Sequence, residues 1–326
     1  SCTSALHIAC LALNLGPGDI LWTSPISFVA SANCGLYCGA SVDFVDIDPN
    51  TALLSIKKLE EKLQYAKKKG KLPKIVIPVH FGGQPCDMKE IYALSKKYNF
   101  KIIEDAAHAI GAKYQDKLIG SCQYSDITVF SFHPVKIITT GEGGVAMTNN
   151  LQLSDRMRLL RSHGITRDVS KMKNKPDGAW YYEQIDLGFN YRMTDIQAAL
   201  GISQLNRIEQ YVSRRNEIAE WYNKKFRTTD ISPLMQKMGR SSAYHLYVIL
   251  IKGGRQQRDV LYNYLLKNDI GVNLHYIPVY KHPFFNKNSC LENAEYYYKH
   301  AISLPIYPTI SSKDLNKVVD KILCYI

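Results

Sequence analysis

Two rhythms of apolar and polar residues alternate along the first half of the chain. Short β-rich apolar runs at 20–23, 41–46, 74–80, 101–104, 127–132 and 144–148 predict strands. Between them, apolar residues recur at three- and four-residue spacing and predict helices at 3–14, 26–38, 55–69 and 87–98. This alternation predicts βαβ units, and hence an α/β fold with a mostly parallel sheet covered by helices on both faces. Ligands in such folds collect outside the carboxyl ends of the strands, so chemistry is expected there.

A polar loop over 167–178 precedes a longer helical stretch, 194–226. There Ile196, Leu200, Ile208 and Val212 recur on one face and predict a single core-facing helix. Beyond residue 226 the pattern changes to a strand at 245–251, a helix at 256–268, an extended segment at 275–279 and a final helix capped by Ser311. The expected division is a large domain over 1–205, and a long-helix linker with a smaller C-terminal α/β domain over 206–326. No internal repeat is visible.

Composition narrows the function classes. A chain of 326 residues with 46% hydrophobic content has ample core for both domains. Lysine and arginine number 41 against 29 acidic residues, a formal charge of +12 that favours anionic partners. The basic residues are scattered, apart from Lys67-Lys68-Lys69 at the end of a predicted helix, where positive charge complements the dipole. A dispersed pattern points to a solvated surface and away from nucleic acid. The eight cysteines form no Cys-x-x-Cys pair and no Cys/His group with metal-ligand spacing, so no metal site is expected and a reducing compartment is. No apolar run approaches the about 20 residues needed to span a bilayer, and no signal-peptide pattern opens the chain; a soluble, cytoplasmic protein without a membrane partner is expected. The chain opens on Ser1-Cys2-Thr3-Ser4 without an initiator methionine, directly at a helix-capping sequence, which suggests that an N-terminal segment is missing.

The most informative stretch runs Phe130-Ser131-Phe132-His133-Pro134-Val135-Lys136 and on through Thr140-Gly141-Glu142-Gly143-Gly144. A lysine here leaves a strand end behind a proline and faces a glycine-rich turn. A lysine held in a crevice loses its proton readily and can form a Schiff base. The glycines match neither a P-loop nor a dinucleotide fingerprint. A second element, Glu104-Asp105-Ala106-Ala107-His108, puts a carboxylate just past a buried strand. A carboxylate so placed can hold a pyridine nitrogen protonated, which makes the ring an electron sink. Taken singly, Lys136 also reads as a surface cation and Asp105 as an ordinary turn cap. Together they occupy successive strand ends of one predicted sheet.

With Glu-Asp-Ala-Ala-His, Ser-Phe-His-Pro-x-Lys and Thr-Gly-Glu-Gly-Gly in that order, the whole chain resembles the DegT/DnrJ/EryC1/StrS sugar aminotransferases. The resemblance implies the type I, aspartate-aminotransferase-like fold of enzymes dependent on pyridoxal 5'-phosphate (PLP). It implies that Lys136 carries the cofactor and that Asp105 holds its ring nitrogen. Thr3 and Ser4 match the helix N-terminus that receives the phosphate, a setting that suits an anion. Phe28 matches the aromatic stacked on the ring, His108 the residue beside the ring hydroxyl, and Ser131 a phosphate ligand. Asn190, within Gly188-Phe189-Asn190-Tyr191-Arg192-Met193, matches a loop that crosses a dimer interface to the neighbour's phosphate, so a homodimer with shared sites is implied.

Four further segments, beginning at Pro25, Arg161, His275 and Ser303, resemble one branch of the family. This branch comprises the UDP-4-amino-4,6-dideoxy-N-acetyl-β-L-altrosamine transaminases of pseudaminic acid synthesis. His275 and Tyr276 would then face the sugar nucleotide, with Ser1 and Asn190 bordering it. In the implied reaction an amino donor, glutamate, displaces Lys136, which then moves the donor's Cα proton as general base and acid. The amino group passes to the C4 ketone of a UDP-linked 6-deoxy-N-acetylhexose. Three alternatives stand beside this reading: amination of a different keto-sugar, a sugar dehydratase of the same family (in which histidine replaces the lysine), and a non-catalytic protein that binds anions or nucleic acid.

Overall fold

The computed structural model describes residues 1–285 and 290–325. Its centre is a six-stranded sheet in the spatial order Ser41–Phe44, Ile20–Thr23, Ile75–Ile77, Lys101–Asp105, Ile127–Ser131, Gly144–Met147. The first five strands run parallel and the last is antiparallel to Ile127–Ser131. The strand Ile127–Ser131 is buried along its whole length, as a central strand covered on both faces must be. The expected α/β fold with a mostly parallel sheet is thus observed.

Helices α1 (Cys2–Ala12), α2 (Ala30–Tyr37), α3 (Ile56–Lys68) and α4 (Met88–Tyr98) alternate with these strands. Helix α1 packs on α2, on the strand Gly144–Met147 and on the centre of the sheet, so Leu6, Ala9 and Cys10 are all fully buried. Ser1 caps it: its hydroxyl accepts from the Ser4 N–H at 3.1 Å. Gly144 has no substitute here, because a Cβ would lie 2.5 Å from the Cys2 nitrogen and 2.6 Å from the Ser1 carbonyl oxygen. That close approach of backbone to backbone lets the last strand lie against the N-terminus of α1.

The expected single helix over 194–226 is two. Helix α6 spans Asp195–Leu205 and α7 spans Ile208–Phe226, with the break at Asn206 and Arg207 (α5, Leu151–Leu160, precedes them). Thr194 and Gln197 form a reciprocal capping box that starts α6. Core-facing burial holds only past the break, where Ile208 and Val212 pack on the main core. Helix α6 has no buried residue, and Ile196 and Ile202 are 85% and 64% exposed. An apolar stripe marks a face that needs cover; its period does not say that the cover belongs to the same chain.

The C-terminal part of the chain builds a three-stranded antiparallel sheet, in the order Ile231–Pro233, Tyr247–Ile251, Ala301–Leu304. Helices α8 (Gly254–Lys267), α9 (Glu292–His300) and α10 (Ser312–Leu323) accompany it. A second apolar cluster forms around Tyr222, Phe226, Ile249, Leu261, Leu265 and Val319. The strand Tyr247–Ile251 joins the two cores through its period-2 alternation: Val248 and Leu250 face the first cluster, Tyr247, Ile249 and Ile251 the second. Buried Arg215 on α7 donates to the carbonyls of Tyr244 at 3.1 Å and Ile306 at 2.8 Å, tying that helix to the smaller sheet. Ser311 caps α10 as expected. The 275–279 segment joins no ladder and is held instead by single contacts, among them Val279 N–H to the Pro25 carbonyl at 2.9 Å.

Candidate active site

The carboxyl ends of the parallel strands open onto one cavity of about 240 Å³. Asp105 ends the strand Lys101–Asp105, Ser131 ends its neighbour Ile127–Ser131, and the turn that follows carries Lys136. The expected helix over 26–38 begins only at Ala30. The preceding residues form a turn that leaves the Phe28 ring 59% exposed at the cavity wall. Thr3 in the first turn of α1 completes the wall on that side, and Tyr276, from the smaller part of the chain, completes the other.

Asp105 is buried and held from two sides. Its Oδ2 accepts from the Ser31 hydroxyl at 2.6 Å and its Oδ1 from the Ala107 N–H at 3.0 Å. Ser31 is fixed in turn by Ser27, with 2.6 Å between their hydroxyl oxygens. Neither serine was singled out from the sequence; on a helix start they read as ordinary capping residues, and only the fold brings them beneath Asp105. Lys136 is half-buried, and this burial pushes its ammonium below the ordinary lysine value, against the pull of Asp105 and Cys2 in the other direction. The Cys2 thiol lines the same cavity, and burial together with Asp105 holds it well above the usual thiol range. A raised pKa disfavours the thiolate, the nucleophilic form of the side chain.

The cavity gathers Ser1, Thr3, Phe28, Asp105, His108, Ser131, Lys136 and Tyr276 among the expected residues, and leaves three aside. The Ser4 hydroxyl turns to Ser1 at 3.0 Å and faces a neighbouring cavity of about 400 Å³. Asn190 is exposed and lines that neighbour too. The His275 ring pairs through Nδ1 with the Ser303 hydroxyl at 2.9 Å, behind Tyr276. Burial, with Lys136 nearby, holds the His275 imidazole down to about 4. Ser1 and Glu142 border both cavities, and the Glu142 carboxylate stands 3.8 Å from His133 Nε2 at the mouth.

The donor set suits a flat aromatic phosphate ester. An amine with a depressed pKa, a carboxylate fixed at the floor, an exposed aromatic face and a helix N-terminus beside the Ser131 hydroxyl meet around one void. Comparison with known proteins gives the same direction. The model of the DegT/DnrJ/EryC1/StrS aminotransferase family matches residues 1–323. The chain is 39% identical to a UDP-4-amino-4,6-dideoxy-N-acetyl-beta-L-altrosamine transaminase of Campylobacter jejuni, covering 98% of this chain and 82% of that one. It is also similar to the crystallised Helicobacter pylori PseC, an aminotransferase involved in the biosynthesis of pseudoaminic acid, with a TM-score of 0.88 at 30% identity over 100% of this chain and 85% of that one. The PLP form of the sugar aminotransferase Spr1654 from Streptococcus pneumoniae matches with a TM-score of 0.87 at 27% identity, over 100% of this chain and 85% of that one.

Proposed function

This chain belongs to the DegT/DnrJ/EryC1/StrS aminotransferase family, and on that premise we propose that it aminates C4 of a UDP-linked 4-keto-6-deoxy-N-acetylhexosamine in pseudaminic acid synthesis, with glutamate as amino donor. The enzyme is a PLP-dependent aminotransferase; the bound cofactor supplies an electrophilic carbon and an electron-accepting ring. The observation that carries the reading is the meeting of Lys136 and Asp105 in one cavity at the carboxyl edge of the sheet. The choice of sugar rests on 39% identity across nearly the whole chain to a transaminase whose name states that product class.

In this reading Lys136 holds the cofactor and then moves the proton at the donor's Cα, and Asp105 keeps the proton on the ring nitrogen. Phe28 covers the ring face, while Thr3 and Ser131 hold the phosphate. Ser1 and Tyr276 border the sugar nucleotide, with His275 supporting Tyr276 from behind. A cytoplasmic location is part of this reading, in keeping with eight cysteines that are all free among the described residues. The test is spectroscopic and then chemical. Protein loaded with PLP is expected to be yellow and to bleach on adding glutamate. The bleached form should then aminate the UDP-linked 4-keto sugar, with the product read by mass spectrometry. Failure to bleach with glutamate overturns that donor; amination of a GDP-linked 4-keto-6-deoxyhexose alone overturns the sugar.

The active unit we propose is a homodimer with shared sites. Support comes from α6, whose Ile196, Leu200, Ile202 and Leu205 all stand exposed, and from Leu187 beside it at 75% exposure. Asn190 lies outside the cavity that holds Lys136 and Asp105 of its own chain and lines the neighbouring one, as a residue serving a partner's site would. Mixing a Lys136→Ala chain with an Asn190→Ala chain is the check. Each alone should be nearly inactive, and verified mixed dimers should regain activity because one of their two sites carries neither lesion. No recovery would assign Asn190 to its own subunit.

A further inference from the structure

Tyr276 meets His108 across the cavity wall, with its hydroxyl oxygen 3.2 Å from His108 Nε2. The other nitrogen of that ring is committed: the Gly82 N–H points at His108 Nδ1 at 3.3 Å. A nitrogen that accepts carries no proton, so a neutral His108 holds its single proton on Nε2 and donates it to Tyr276. The surroundings keep the ring neutral. Burial comes first, followed by Lys136, His245 and His275, and together these hold the imidazole well below its ordinary value. The buried ring of His245 lies 4.4 Å from that of His108, and burial depresses it in the same direction. Two adjacent imidazoles and an amine leave no room for a further positive charge.

From this geometry we infer that His108 acts as a positioning residue: with its tautomer set by Gly82, it fills the lone pair of Tyr276 and thereby commits the tyrosine O–H to donate into the cavity, onto a ligand oxygen. Tyr276 keeps its own proton, since burial raises its hydroxyl above the ordinary tyrosine value. A phenol whose oxygen already accepts one hydrogen bond has its O–H left to give. The recognised chemistry is an anionic or carbonyl oxygen. The ring oxygen of the cofactor and a ring or carbonyl oxygen of the sugar both offer it. The inference rests on the proposed function for the identity of those ligands, but the tautomer of His108 does not depend on them.

The experiment therefore has two layers. In protein labelled with nitrogen-15 on histidine, with a His108→Gln sample for assignment, the His108 signals should report the Nε2–H tautomer across pH 6–9; an Nδ1–H tautomer or a cation overturns the inference. Next, Tyr276→Phe and His108→Phe are compared singly and together with the unchanged enzyme. Loss of one donor to a charged or strongly polarised oxygen is expected to cost about ten-fold or more. If the oxygen is the cofactor's, Tyr276→Phe weakens PLP binding and shifts the pH at which the bound cofactor changes colour. If it is the sugar's, PLP binding and colour stay constant while kcat/KM for the keto-sugar falls. In either arm the double variant should be no worse than Tyr276→Phe alone. Additive losses would mean that His108 touches the ligand itself, and an unaffected Tyr276→Phe would show that no ligand oxygen receives its proton. If unchanged protein binds no PLP, the functional reading has failed instead, and the tautomer result still stands.

Discussion

Replacing Lys136 with Ala is expected to abolish amino transfer while leaving the fold and phosphate-binding wall in place. Lys136 is the only lysine lining the cavity among the described residues, so no neighbour can take over as nucleophile or base. Its half-buried position disfavours the ammonium, and the lowered pKa leaves a larger neutral fraction at neutral pH than a surface lysine would have. Losing a positioned general base alone costs about 10²–10⁴-fold. Losing the covalent attachment adds to that. The structural cost is small, because Asp105 keeps its bonds from Ser31 and Ala107 and remains anchored without the amine. Lys136→Arg makes the sharper control: it retains a cation opposite Asp105 but, because a guanidinium stays protonated at any working pH, supplies no neutral amine. Both variants should fail equally in steady-state transfer. Borohydride reduction followed by peptide mapping should place the cofactor on Lys136 in the unchanged enzyme, and a cofactor found on another lysine would overturn the assignment.

The parts of this site legible in the sequence are those fixed by short stretches of chain. Asp105 and Lys136 follow strands, and strands announce themselves as buried apolar runs; once the sheet is parallel, their placement at one edge follows. Ser31 illustrates the part that was not legible. It lies 74 residues from Asp105, and nothing local distinguishes it from any serine at a helix start. The Gly82–His108–Tyr276 chain is illegible for the same reason, since the tyrosine is 168 residues from the histidine and arrives on an extended segment that joins no sheet. The one clear misreading, the continuous core-facing helix, has a different origin. Ile196 and Leu200 keep the helical period faithfully, but periodicity reports which residues share a face and is silent about what lies opposite. In this chain the stripe runs past a break at Asn206, buried beyond it and exposed before it.

Changing Asp105 to Asn isolates charge from shape. The amide oxygen can still accept from the Ala107 N–H, and the amide nitrogen takes the place of the oxygen that accepts from Ser31. Ser31 can answer by rotating its hydroxyl to accept, since its oxygen also lies within 2.6 Å of the Ser27 hydroxyl. The variant should therefore fold, with a stability change within the usual ~1 kcal/mol of a single neutral hydrogen bond. What it cannot do is hold a proton on the cofactor's ring nitrogen, because that requires a negative partner at the floor of the cavity. Each ~1.4 kcal/mol of lost transition-state stabilisation is tenfold in rate, and a charge-assisted bond of about 1.5–3 kcal/mol accordingly predicts a fall of roughly 10- to 150-fold before the electron-sink loss is added. The fall should appear in kcat, because a carboxylate at the floor of the cavity would stabilise the transition state more than the bound ground state. Ser31→Ala gives the intermediate case: Asp105 retains its charge but loses one of the two bonds that aim it, and about a 5- to 10-fold loss is expected. The ordering of the three enzymes is the result to read. Near-normal turnover in Asp105→Asn, with melting unchanged, would remove the carboxylate from the chemistry and leave it as a structural residue beneath the cavity.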